Sequence, residues 1–126
     1  MINEIINFLE KMNATNSSND KIEVIRHSSR IIKKTLYYTY NSFLQYNVTP
    51  KILSKRTDLC NRYTKVDSMF ELLDSLNQRL ITGHTAIKEA NGFILNNPDY
   101  KSILYLILER NLKIRASTKL INKAVP

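Results

Sequence analysis

Apolar residues recur at three- and four-residue steps along nearly the whole chain, interrupted by only two glycines and three prolines. That is the period of an α-helix rather than the two-residue alternation of a strand. The first stripe, Ile2, Ile5, Ile6, Leu9 and Met12, predicts an amphipathic helix over 2–12, followed by a polar break from Asn13 to Asn19. Ser18 or Asn19 is placed to cap a short helix over Asp20 to His27. Ser28 or Ser29 is placed to start a longer one reaching about Tyr46, with Ile32, Leu36, Tyr40 and Phe43 inward. Pro50 is expected to help end that region. From Val48 to Val66 the period loosens, which predicts connecting structure with one helical turn around Ile52 to Leu59.

Asp67 stands as the N-cap of a helix carrying Met69, Leu73, Leu76 and Leu80 and ending near Leu80. Thr82-Gly83-His84-Thr85 opens the next, with Ile87, Ala90 and Ile94 inward, and Asn96-Asn97-Pro98 stops it. Ile103, Leu104, Leu106, Ile107 and Leu108 are apolar on nearly every side, which predicts the most buried helix, and a last helix covers about Ser117 to Ala124. The expected fold is all-α, a single compact helical bundle of about six to seven helices. Neither an internal repeat nor a shift in composition divides the chain, so 1–126 reads as one domain. Its close on Pro126 directly after a helix reads as a domain taken from a longer polypeptide.

Charge narrows the function. Nineteen Lys and Arg against eleven Asp and Glu give a net charge of +8 and a pI near 9.7. Such a balance points to a polyanionic partner, nucleic acid first, with an acidic membrane surface or an acidic protein behind it. A lone Cys60 leaves no intrachain disulfide, as expected in the reducing cytoplasm. Glu4 and Glu10 among the first apolar residues argue against a signal peptide. The longest apolar run, Ile103 to Leu108, falls far short of the roughly 20 residues of a membrane span. A soluble protein without a membrane partner is expected.

Catalytic chemistry finds no foothold. Glycines at Gly83 and Gly92 alone exclude a dinucleotide fingerprint or a P-loop. His27, His84 and Cys60 are scattered without metal-ligand spacing, and a lone cysteine is more often a small packed residue than a nucleophile. Glu71 and Asp74 lie at i,i+3, where a solvated helix face accounts for them. The expectation is a chain that is not an enzyme and carries no cofactor or metal.

Basic residues, by contrast, are arranged. Between Val24 and Thr57 there are seven Lys or Arg and no acid: Arg26, Arg30, Lys33 and Lys34 near helical spacing, then Lys51, Lys55 and Arg56. From Arg110 to the end there are five more, Arg110, Lys113, Arg115, Lys119 and Lys123, again with no acid. Any one of these lysines is explained by a solvated helix face, but two one-signed runs suit salt-dependent contact with phosphates without base reading. Two helix starts add backbone N–H groups and the positive end of a helix dipole. They are Thr82-Gly83-His84-Thr85, where Gly83 admits close approach, and Arg115-Ala116-Ser117-Thr118, where Ser117 caps beside concentrated positive charge. An ordinary N-cap explains each start taken alone.

These segments resemble the N-terminal DNA-binding domain of T-even-phage-type ATP-dependent DNA ligases. Leu36-Tyr37-Tyr38-Thr39-Tyr40 through Phe43-Leu44-Gln45-Tyr46 resembles the family's Tyr-rich helix ending in Leu-Gln-Tyr. Leu80-Ile81-Thr82-Gly83 with Ala86-Ile87 resembles its Leu-Thr-Gly helix start, and Asn111-Leu112 through Ala116-Ser117 and Ile121-Asn122-Lys123 resembles its closing motif. The resemblance spreads over most of the chain. It implies a domain that grips the duplex on either side of a nick, chiefly through minor-groove and backbone contacts, in DNA replication, repair and recombination. Separate nucleotidyltransferase and OB-fold domains would complete the encirclement and carry the catalytic lysine, ATP and Mg. The family's Lys-x-Asp-Gly motif is absent here, since no Asp-Gly dipeptide occurs. Members tend to have glycine where this chain has Arg115, which shifts the implied phosphate contact there from backbone to side chain.

The reading is therefore sequence-independent binding of nicked duplex DNA, positioned for a ligase core outside this chain. Its expected contacts are Thr82, Gly83, His84 and Thr85 at one helix start and Arg115, Ser117, Thr118 and Lys119 at the other, with Lys33, Lys34, Lys55 and Arg56 as supporting charge. The remaining ligase domains and a sliding clamp are the implied protein partners, in the host cytoplasm if the gene is a phage's. The rival reading is a basic helical module that binds an acidic replication partner. A helix-turn-helix regulator finds less support, because no adjacent helix pair has the short glycine-containing turn that motif favours.

Overall fold

The computed structural model describes residues 1–125. The described residues form eight α-helices and no strand: α1 (Ile2–Ala14), α2 (Ser18–Arg26), α3 (Arg30–Tyr40), α4 (Pro50–Lys55), α5 (Met69–Asn77), α6 (Gly83–Asn96), α7 (Lys101–Leu108) and α8 (Thr118–Ala124), with a 3-10 turn at Pro98–Tyr100. The all-α expectation holds. The chain gathers into two compact units, a terminal unit of Met1–Asn41 with 111–125 and a middle unit of Ser42–Arg110.

In the terminal unit α1 packs on α3 and α2 on α8. The buried residues of α1 are Ile5, Phe8 and Met12, three and four apart; Ile6, expected inward, is turned away from that line and exposed. α1 continues through Ala14 into the expected break, with the Thr15 hydroxyl donating to the Lys11 carbonyl. α2 is capped by Ser17, one residue before the expected positions, and α3 by Ser29 as predicted. α3 stops at Tyr40 instead of continuing to Tyr46, and Phe43, expected inward, is 89% exposed. Its buried face includes Thr35 and Thr39, whose hydroxyls donate back to the Ile31 and Thr35 carbonyls at 2.9 and 2.7 Å, satisfying polar groups that would otherwise be costly to bury.

Two long-range contacts close this unit. Lys21 is 4% exposed, and its ammonium donates to the Met12 carbonyl at the end of α1 (2.7 Å) and to the Ile114 carbonyl (3.0 Å). The Leu112 N–H donates to the Tyr40 hydroxyl at 3.0 Å, tying the end of α3 to 111–125. Burial pushes the Tyr40 phenol pKa up, with the Leu112 bond acting in the opposite direction.

In the middle unit Pro50 begins a helix rather than ending a region: it occupies the first turn of α4 after Thr49, whose hydroxyl accepts from the Ile52 N–H at 3.3 Å. A proline fits there because that N–H has no helical partner to lose. α5 starts after Ser68, not Asp67, and ends at Asn77. Past its end Arg79 takes φ +58, its N–H bonds Leu76, and the Leu80 N–H reaches back to the Ser75 carbonyl at 2.9 Å. This Schellman closure ends the helix before Leu80, which is 71% exposed instead of inward. α7 buries Ile103, Leu104, Ile107 and Leu108 of the apolar run, and α5, one residue longer, buries five residues.

α6 presents Ala86, Ile87, Ala90 and Phe93 to the core, and a polar set organises residues 53–64. The Asn91 amide donates to the carbonyls of Leu53 (3.3 Å), Arg56 (3.1 Å) and Leu59 (3.0 Å). Glu89 accepts from the Asn61 amide at 2.9 Å and from the Thr64 hydroxyl. The Asn61 N–H bonds Lys88 at 2.9 Å, and Gly92 lies under the Asn61 carbonyl. Asn91→Ala would strip these carbonyls of their shared donor and is expected to destabilise the unit by about 2 kcal/mol in urea unfolding. Unchanged stability would mean that the loop holds itself.

Candidate nucleic-acid interface

Thr82 is the extended N-cap residue of α6, and its side chain makes no cap hydrogen bond. Thr82, Gly83, His84 and Thr85 are all exposed. Gly83 takes φ +55, the left-handed region that favours glycine, and a Cβ added there would meet nothing within 4 Å. The first turn of a 14-residue helix therefore faces open space without its own side-chain acceptor. A pocket of about 30 Å³ beside it is lined by Tyr46, Asn47, Leu76 and Arg79.

Of the supporting residues in this unit, Lys55 is exposed, whereas Arg56 is already engaged. Its Nε and Nη2 donate to the two Asp58 oxygens at 3.1 and 3.0 Å. The hydrogen bond from Arg56 holds the Asp58 carboxyl below its usual range, and the field of His84 acts in the same direction. An acid thus stands within the field of the α6 start, which weakens the local positive potential.

In the terminal unit Lys33 is half-buried and Lys34 exposed on α3, while Arg115, Ser117, Thr118 and Lys119 are exposed at and before the start of α8. The Ser117 hydroxyl accepts from the Leu120 N–H at 3.1 Å, the ordinary use of an N-cap. Arg115 adopts φ +53, a conformation a glycine enters freely, and its guanidinium donates to the Asn13 carbonyl at the end of α1. Since its partner is a carbonyl and not a carboxylate, Arg115 keeps its net charge. Lys21, which sequence reasoning passed over, works beside it. Burial, then the nearby Arg115 charge, lowers the Lys21 ammonium pKa below its usual value.

The tertiary structure redistributes the basic runs. The acid-free stretches 24–41 and 111–125 belong to one unit, joined through Tyr40 and Leu112. The terminal unit's sequence has ten Lys and Arg against four acids and the middle unit's nine against seven, so six of the eight excess positive charges lie in the former. Within it Glu23 already pairs with Arg26 at 3.2 Å and with His27 at 3.1 Å.

Cys60 lines a pocket of about 280 Å³ with Leu53, Asn91, Ile94 and Tyr105, and no histidine lines it. Among the described residues no group of three or more His, Cys, Asp or Glu gathers as a metal would need, and no helix is long and apolar enough to cross a membrane. No protein-family model and no curated protein matches the chain, so the character of this surface is read from its own residues.

Proposed function

We propose that this chain binds duplex DNA without sequence preference and holds a nick for the catalytic domains of an ATP-dependent DNA ligase of the T-even-phage type, carried outside it. The observation that carries the reading is the start of α6. Four exposed residues, an open Gly83 and a first turn without a side-chain cap form a phosphate contact that reads no base. The likeness of Thr82-Gly83 and of 111–123 to that ligase domain supports it, and the left-handed Arg115 suits a position where the family tends to have glycine. Thr118 and Lys119 with Lys33, Lys34 and Lys55 supply further phosphate contacts. The chain itself performs no adenylation, and ATP and Mg belong to the catalytic domains.

Fluorescence anisotropy with nicked, intact and scrambled-sequence duplexes at two salt concentrations tests this. Affinity is expected to be indifferent to sequence and to fall tenfold or more over a modest salt increase. An absence of binding at low salt would overturn the reading and favour an acidic protein partner. That second reading draws support from the net charge of +8, which suits any polyanionic surface. Arg115→Glu is a poor probe, because it would set an acid against the negative end of α1 and confuse folding with binding.

A further inference from the structure

Resting on the DNA-binding reading above, we infer that the terminal unit supplies most of the electrostatic grip on the duplex, and that the middle unit contributes local positioning with little net attraction. The acid-free stretches 24–41 and 111–125 are separated by about 70 residues of sequence yet belong to this one unit, which the Tyr40 to Leu112 hydrogen bond and the Lys21 to Ile114 contact close. The run in α3 brings Arg30, Lys33 and Lys34, and the run in 111–125 brings Lys113, Arg115, Lys119 and Lys123. The unit's four acids all precede Val24; Glu4 reaches the start of α3, where it accepts from the Ser29 hydroxyl at 2.9 Å, and Glu23 pairs with Arg26, so that the unit's excess rests on its remaining cations. Middle-unit cations, by contrast, are interspersed with seven acids; Arg56 is locked onto Asp58, and Asp58 reaches the field of His84 at the α6 start. Counterion release follows the phosphates that cations neutralise, so affinity and its salt slope should reside in the unit where positive charge most exceeds acid.

Two charge-matched double variants of the chain test this. Arg30→Gln with Lys119→Gln removes two charges from the terminal unit, and Lys65→Gln with Lys101→Gln removes two from the middle unit. All four residues are exposed, and glutamine keeps a long side chain with good helix propensity. Circular dichroism checks that both variants fold before anisotropy is measured on a nicked duplex across a salt series. The terminal pair is expected to weaken binding about tenfold and to flatten the log affinity against log salt slope by about 1.8, from roughly 0.9 per phosphate contact. The middle pair should change affinity less than about threefold and leave the slope nearly as it was, the residue of a long-range field. Equal losses from both pairs, or a larger loss from the middle pair, would overturn the assignment while DNA binding itself stood. A wild-type chain that binds no DNA at low salt would overturn both.

Discussion

Gly92→Ala is expected to destabilise the middle unit by about 3 kcal/mol, lowering its unfolding midpoint by on the order of 10 °C. A Cβ at this position would stand 2.0 Å from the Asn61 carbonyl oxygen and 2.8 Å from its carbon. Those are backbone atoms, which no rotamer change can move aside. Relief requires residues 61–64 to lift off α6, and that breaks the Asn61 N–H bond to Lys88 and the Asn61 and Thr64 bonds to Glu89 together. Gly83→Ala is the control, because nothing crowds a Cβ there and only the left-handed φ opposes it, at roughly 1 kcal/mol. Thermal unfolding of both variants separates the two roles of glycine. Equal shifts would mean that the 61–64 loop yields without loss.

Lys21→Met is expected to cost the terminal unit about 2–3 kcal/mol, although methionine fills similar space. The partners of the ammonium are backbone carbonyls, which an apolar side chain cannot satisfy, and they lie in segments far apart in sequence, at Met12 and Ile114. The effect also depends on pH in a defined direction. Burial, and less so the Arg115 charge, makes the folded chain hold the Lys21 proton less tightly than the unfolded chain, whose pKa is near 10.5. The contribution of Lys21 is therefore lowest where both states are protonated, and it rises as pH climbs from the lowered folded pKa toward the unfolded one. Urea unfolding of wild type and Lys21→Met at pH 7 and pH 10 should show the wild-type advantage growing with pH. Taking the difference cancels Tyr40 and Tyr105, whose pKa values burial raises and whose contributions fall with pH. An advantage that shrinks would contradict the burial of a charged Lys21.

For the candidate site, legibility followed the range of the chemistry. Helix starts at Thr82-Gly83 and Ser117 were readable because capping is decided within a few residues, and both lie where the sequence predicts. Arg56 reads from the sequence as available charge, yet Asp58 two residues on takes its Nε–Nη2 edge, a matter of turn geometry invisible to a charge count. Lys21 reads as an ordinary lysine: it shares the inner face of α2 with Ile25 four residues on, but only the bonds to Met12 and Ile114, from segments remote in sequence, make it a buried donor.

By itself the sequence determined the helical class, the approximate course of the helices and the existence of two acid-free basic runs, because periodicity, caps and charge are properties of neighbouring residues. Where helices stop was decided elsewhere. α3 ends at Tyr40 and α5 at Asn77, leaving Phe43 and Leu80 exposed although both continue the apolar period. In the 48–66 stretch the sequence lacks a period because its order comes from outside, from Asn91, Glu89 and the bare backbone of Gly92 on α6. Only the tertiary structure joined 24–41, the first part of one basic run, to the other at 111–125 in one unit, since the bonds that join them, Lys21 to Ile114 and Tyr40 to Leu112, span 93 and 72 positions. No local pattern encodes contacts at that distance; they form when burial of apolar faces brings remote segments together and leaves particular donors and acceptors to find one another.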